Sequence, residues 1–180
     1  MFDRIIKMFI AALLVVVPLA GAAKDYVVKS PSGNLVLKVA TGKNLTWQVN
    51  FKGHEITAPS VLSVKLKNGG EWGSDNPGGK QGKVSRTIDG VNYRKAKIED
   101  KYTLLMLKGK GYSVEFRAYD DAAAYRFIAN ASDSVTIENE KVEYNFTKDY
   151  EAYVPYVNDL RHGERYSNSF EAYYDIQKIS

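Results

Sequence analysis

The chain has 180 residues, about one domain, and its 44% hydrophobic and 26% charged residues exclude a disordered protein. A formal charge of +4 spread over scattered lysines leaves no nucleic-acid footprint. The absence of cysteine excludes a disulfide framework and any thiolate site.

In chain order, the first element is a leader. Arg4 and Lys7 form a short positive region, and Met8 to Leu19 is an apolar run too short to span a bilayer comfortably. Ala20, Gly21 and Ala22 put small residues at a cleavage site. Residues 1–23 therefore read as a signal peptide cut after Ala22 or Ala23, the alternative being a retained anchor. The expected mature unit is 24–180: exported, periplasmic or secreted, and free of the membrane once the signal is cleaved. Losing Asp3, Arg4 and Lys7 lowers its charge by one.

Beyond the leader the hydrophobic period is two. Trp47, Val49 and Phe51 alternate with Thr46, Gln48 and Asn50. Tyr112, Val114, Phe116 and Ala118 alternate with Ser113, Glu115, Arg117 and Tyr119. Val142, Tyr144 and Phe146 alternate with Lys141, Glu143 and Asn145. This is the pattern of half-buried antiparallel strands. Turn residues separate them at 30–34, 41–44, 52–54 and 108–111. Roughly ten strands at sandwich-like spacing are predicted, with no amphipathic helix. The polar, glycine-rich stretch 68–82 reads as a long surface loop around Trp72, which serves either as a contact site or as a plug folded back onto the core.

Familiar catalytic constellations are missing. His54 and His162 have no metal-ligand spacing, and neither a nucleophile elbow nor a phosphate-cradling glycine loop is present. Sequons occur at Asn44, Asn130 and Asn145. The most distinctive stretch is FRAYDDAAAYRF, residues 116–127, two strands flanking an acidic turn. Arg117 and Arg126 are expected to pair with Asp120 or Asp121, an arrangement that by itself describes a charged hairpin.

That stretch resembles a hairpin in the N-terminal domain of glycoside hydrolase family 97, exported α-glucosidases and α-galactosidases. Three further stretches are similar in the same order: Val27 to Leu35; Asn44 to Val49 with Lys52 to Ile56 and Pro59 to Leu62; and Phe170-Glu171-Ala172-Tyr173-Tyr174. The resemblance covers nearly all of 24–180. It implies an all-β antiparallel β-sandwich, supersandwich-like and galactose-mutarotase-like, that packs on a catalytic (β/α)8 barrel. It also implies a calcium ion bound by glutamates, with Glu171 the position here that matches the domain's own ligand and the other ligands coming from the barrel. Two departures stand out: Ala122 where the family has glycine, and Tyr153 where it often has tryptophan.

The family's domain and its barrel run well past Glu171, whereas this sequence ends at Ser180. The expectation is a sandwich incomplete at its C-terminal side, carrying no catalytic residue and inactive alone, because glycoside hydrolysis needs two positioned carboxylates. The alternatives are a stand-alone secreted carbohydrate-binding module and a partner-binding sandwich with no sugar role. For the first alternative, Trp72, Tyr153, Tyr156 and Tyr173 are the candidate faces for an α-linked oligosaccharide, set against the plainer reading of core or rim packing.

Overall fold

In the computed structural model, residues 23–91, 94–130, 134–156 and 173–179 are described, and the predicted leader, His162 and Glu171 lie outside them. Thirteen strands and no helix are found among the described residues. Leu35, Leu37 and Val39 show why. All three are at most 3% exposed, while Val36 and Lys38 between them face outward, which is the pleat of a strand with one buried face.

The first sheet has seven strands. Its path runs β1 (Asp25–Lys29), β2 (Leu35–Ala40), β3 (Leu45–Phe51), β5 (Ser60–Leu66) and β11 (Ile137–Val142). Two short strands hang from it, β4 (His54–Glu55) on β3 and β6 (Glu71–Trp72) on β5. The second sheet has four strands in the order β10 (Ala123–Ala129), β9 (Tyr112–Ala118), β8 (Lys97–Lys108) and β7 (Gly78–Asp89). All pairings are antiparallel. Val28, Leu37, Leu45 and Leu62 of the first sheet join Leu105, Leu107, Val114 and Phe116 of the second in one core, so the two sheets form a β-sandwich. A separate two-stranded ribbon pairs β12 (Glu151–Pro155) with β13 (Tyr174–Lys178).

Lys52 and Gly53 join β3 to β4. Both have positive φ, 49° and 82°, as a two-residue type I′ hairpin requires. Lys52 is the only non-glycine with positive φ among the described residues, so Ala122 carries no such strain. The turn it belongs to closes with the Tyr119 N–H donating to the Ala122 carbonyl at 2.8 Å.

Two predicted elements change. The expected loop 68–82 gives way to strand from Gly78 onward. The Gly79 N–H donates to the Tyr26 hydroxyl at 2.8 Å, and a Cβ on Gly79 would lie 2.7 Å from both the Tyr26 ring and the Leu107 side chain. Glycine here serves close approach inside a strand, not a loop. The expected result for Gly79→Ala is a loss of about 1–3 kcal/mol from overpacking, read as a lower urea midpoint at unchanged slope.

The second change is at the end of β11, which stops at Val142, short of Tyr144 and Phe146. There the Asn145 amide donates to the Pro59 carbonyl at 2.9 Å and the Asn145 N–H to Ser60 Oγ at 3.0 Å. These side-chain bonds stand beside the backbone bond from the Ala58 N–H to the Asn145 carbonyl at 2.7 Å, so the regular ladder gives way to an isolated bridge between Thr57 and Phe146. Tyr144 and Phe146 are left half out of the core, stacked on each other with centroids 6.4 Å apart.

Candidate functional site

The hairpin 116–127 organises the outer face of the four-stranded sheet. Core residues Val114 and Phe116 point inward, so Ser113, Glu115 and Arg117 stand on the opposite face. Register places Arg126 of β10 and Met106 of β8 beside Glu115, Leu104 beside Arg117, and Arg86 of β7 beside Asp100 of β8.

Both arginines of the hairpin bind Glu115, not Asp120 or Asp121. Arg126 donates through Nε at 3.0 Å and Nη2 at 2.7 Å to one carboxylate oxygen, and Arg117 Nε donates to the other. Cross-strand register explains the correction: Glu115 lies directly opposite Arg126, two residues from Arg117 on the same face, while the acidic turn lies beyond the strand ends. Asp120 instead accepts the Ser32 N–H at 2.7 Å, which ties the hairpin to the β1–β2 turn and holds its carboxyl below the ordinary range.

The network continues across the sheet. Arg117 stacks over the Tyr102 ring at 4.6 Å and donates to the Tyr119 hydroxyl at 3.2 Å. The Tyr119 hydroxyl donates to Asp100 at 3.2 Å, and Arg86 donates to the other Asp100 oxygen at 2.8 Å. Glu115 and Asp100 are buried although they stand on an outward face, because arginine and tyrosine side chains lie over them. Burial pushes the Glu115 carboxyl up, but the bonds from Arg126 and Arg117 more than offset this and leave it below its ordinary value.

Trp72 sits elsewhere. It lies in β6, opposite Val64, is 7% exposed, and stacks on Tyr112 with centroids 5.4 Å apart and planes 14° from parallel. Of its two readings, this placement is that of the plug. The loop after it is fastened to the same ring: the Gly73 N–H donates to the Tyr112 hydroxyl at 2.9 Å, and that hydroxyl donates to Asp75. Burial, with the Asp75 bond next, raises the Tyr112 phenol.

The remaining candidates are on or beside the two-stranded ribbon. Tyr153 pairs with Ile176 and Pro155 with Tyr174, so these four share one face. Tyr153 is 64% and Tyr173 97% exposed, and the Tyr156 hydroxyl bonds the Gln177 side chain at 3.0 Å. The structure does not bring Tyr153 and Tyr173 together with Trp72, which is in the core. The implied calcium ligand, Glu171, lies outside the described residues, and among those no three His, Asp or Glu side chains are grouped to hold a metal.

A family model described as Glycosyl-hydrolase 97 N-terminal matches residues 28–180. A retaining alpha-galactosidase of Bacteroides thetaiotaomicron is 34% identical over 165 residues, which cover 88% of this chain and 25% of that protein. Among solved structures, a beta-arabinopyranosidase superposes with a TM-score of 0.70 at 20% identity, over 84% of this chain and 26% of the other. A glycoside hydrolase family 97 enzyme from Pseudoalteromonas sp. strain K8, in complex with acarbose, gives 0.67 at 16% identity over 84% and 24%. These structural likenesses show the fold. The chain spans about a quarter of the length of each relative.

Proposed function

The chain belongs to the glycosyl-hydrolase 97 N-terminal family, and from that premise we propose that it is the non-catalytic, carbohydrate-associated N-terminal domain of an exported family 97 α-glycosidase. The family match over residues 28–180 carries this reading. In it, the domain packs on a (β/α)8 barrel, whose carboxylates do the chemistry on an α-linked oligosaccharide. Glu171 contributes one carboxylate to a calcium ion whose other ligands come from the barrel. The apolar run after Arg4 and Lys7 directs export.

The test is an activity assay. The purified chain is expected to release no nitrophenol from p-nitrophenyl α-glucoside or α-galactoside above a buffer control. Turnover that co-elutes with the chain through two chromatographic steps sinks the non-catalytic reading. A second reading, a stand-alone carbohydrate-binding module, is favoured by one observation: Tyr153 and Tyr173 present exposed rings at the ribbon, available to stack on a sugar.

A further inference from the structure

We propose that the cleft between β1 and the β7–β8 pair holds a tetrahedral oxyanion, phosphate or sulfate, either free or as the ester group of a small solute. The cleft has a volume of about 560 Å³, and its lining carries Lys29, Lys83 and Lys101 but no aspartate or glutamate. The volume is within the size range of small-ligand sites. Register explains the position. On the inward face of β8, Leu107 and Leu105 are core residues, and Thr103 and Lys101 continue that face beyond the core. Lys83 lies opposite Thr103 and Ser85 opposite Lys101, so the two lysines are diagonal neighbours on one face. Lys29 reaches the same cleft from β1, in the other sheet. The Gln81 side chain bridges the two sheets at the core side, donating to the Val27 carbonyl at 3.1 Å.

The lining chooses the occupant. Like charges on neighbouring strands of one face repel, and the lysine ion pairs among the described residues belong elsewhere, to Lys65, Lys97, Lys141 and Lys178. Asp120, which feels the Lys101 charge, already accepts the Ser32 N–H. Thr103 is a second, independent sign. It is 7% exposed, it lines the cleft, and its hydroxyl has no hydrogen-bond partner among the described residues. A buried hydroxyl without a partner is costly, and an entering acceptor removes that cost. Strand parity adds a backbone donor. The Ser30 N–H bonds across to Leu35, so Val27 and Lys29 turn their backbone groups to the open edge of β1, and the Lys29 N–H faces the cleft. Three point charges, a hydroxyl and an N–H suit a compact, multiply charged acceptor. A planar carboxylate is matched better by the arginine fork, and no arginine lines the cleft. The site does not rest on the glycosidase reading.

The test is a set of titrations followed by amide 1H–15N spectra of the purified chain in phosphate-free buffer. Glucose 6-phosphate, glucose 6-sulfate, inorganic phosphate, glucose and glucuronate are added separately. The expected result is a saturable shift of the Lys29, Ser85 and Thr103 amides with the phosphate or the sulfate, weakened by added salt, and none with glucose. Lys83→Gln combined with Lys101→Gln is expected to weaken binding about tenfold or more, and Thr103→Val, which leaves the charge unchanged, about fivefold. Lys141→Gln, a charge lost from β11 of the other sheet, is expected to leave binding as it is. An ester that binds more tightly than inorganic phosphate identifies an esterified ligand, and equal binding identifies the free ion; both support the site. No saturable shift overturns the proposal, and glucuronate binding as tightly as the esters overturns the tetrahedral class. A titration unchanged by the double lysine variant also overturns it, and leaves the lysines as guards of the free β7 edge. None of these outcomes bears on the nitrophenol assay, so the two readings fail separately.

Discussion

Trp72→Ala is expected to cost about 3–5 kcal/mol, the range for deleting a buried large aromatic side chain. The ring is 7% exposed, stacks on Tyr112, and lies within 6.5 Å of the Phe127 centroid, so its removal opens a cavity between the two sheets. The loss also reaches the loop that follows. Gly73 accepts the Leu45 N–H through its carbonyl at 2.7 Å and donates to Tyr112, and Tyr112 is the ring Trp72 holds in place. A urea melt of the two proteins reads the effect as a midpoint shift at constant slope. Tyr153→Ala is the control: at 64% exposure it is expected to change stability by no more than about 0.5 kcal/mol. A Trp72→Ala protein as stable as the parent returns Trp72 to the role of an exposed contact.

These two aromatics show what the sequence reveals and what it hides. Period two is legible wherever a strand has one buried face, and Tyr112, Val114, Phe116 and Ala118 are all within 1% of full burial. Pairing is not legible, because it depends on register between strands distant in sequence. Arg117 and Arg126 flank the acids of the turn, Asp120 and Asp121, while the carboxylate they share is Glu115, fixed only once β9 faces β10. Asp100 and Arg86 join the same network from two other strands, and no local pattern announces them. A count of about ten strands falls short of thirteen partly because β4 and β6 have two residues each, too few for any periodicity. Gly79 reads as loop because glycine disfavours strands on average, whereas here a tyrosine ring from β1 takes the space of a side chain. The family's hairpin motif was readable as a string; its role as the centre of an outer-face network was not.

Glu115→Gln carries the largest expected pH effect. The carboxylate is 5% exposed and holds two guanidinium groups, one of them through two hydrogen bonds. Charge-assisted bonds of this kind are worth about 1.5–3 kcal/mol, and a neutral amide keeps the shape but not the charge. The folded carboxyl titrates below the 4.5 of an ordinary glutamate. A depressed folded value means stability that is fully present above the unfolded value and is lost as pH falls through the folded one. The parent is therefore expected to exceed Glu115→Gln by about 1.5–3 kcal/mol at pH 7, with the gap shrinking from below pH 4.5 downward. Asp120 and Glu143 are also held low by hydrogen bonds, so both proteins keep an acid limb, and only the difference between the two curves reports Glu115. Urea melts every half unit from pH 2 to 8 give that difference. A gap independent of pH assigns the effect to lost packing, because a change of shape does not titrate and the charge on Glu115 does.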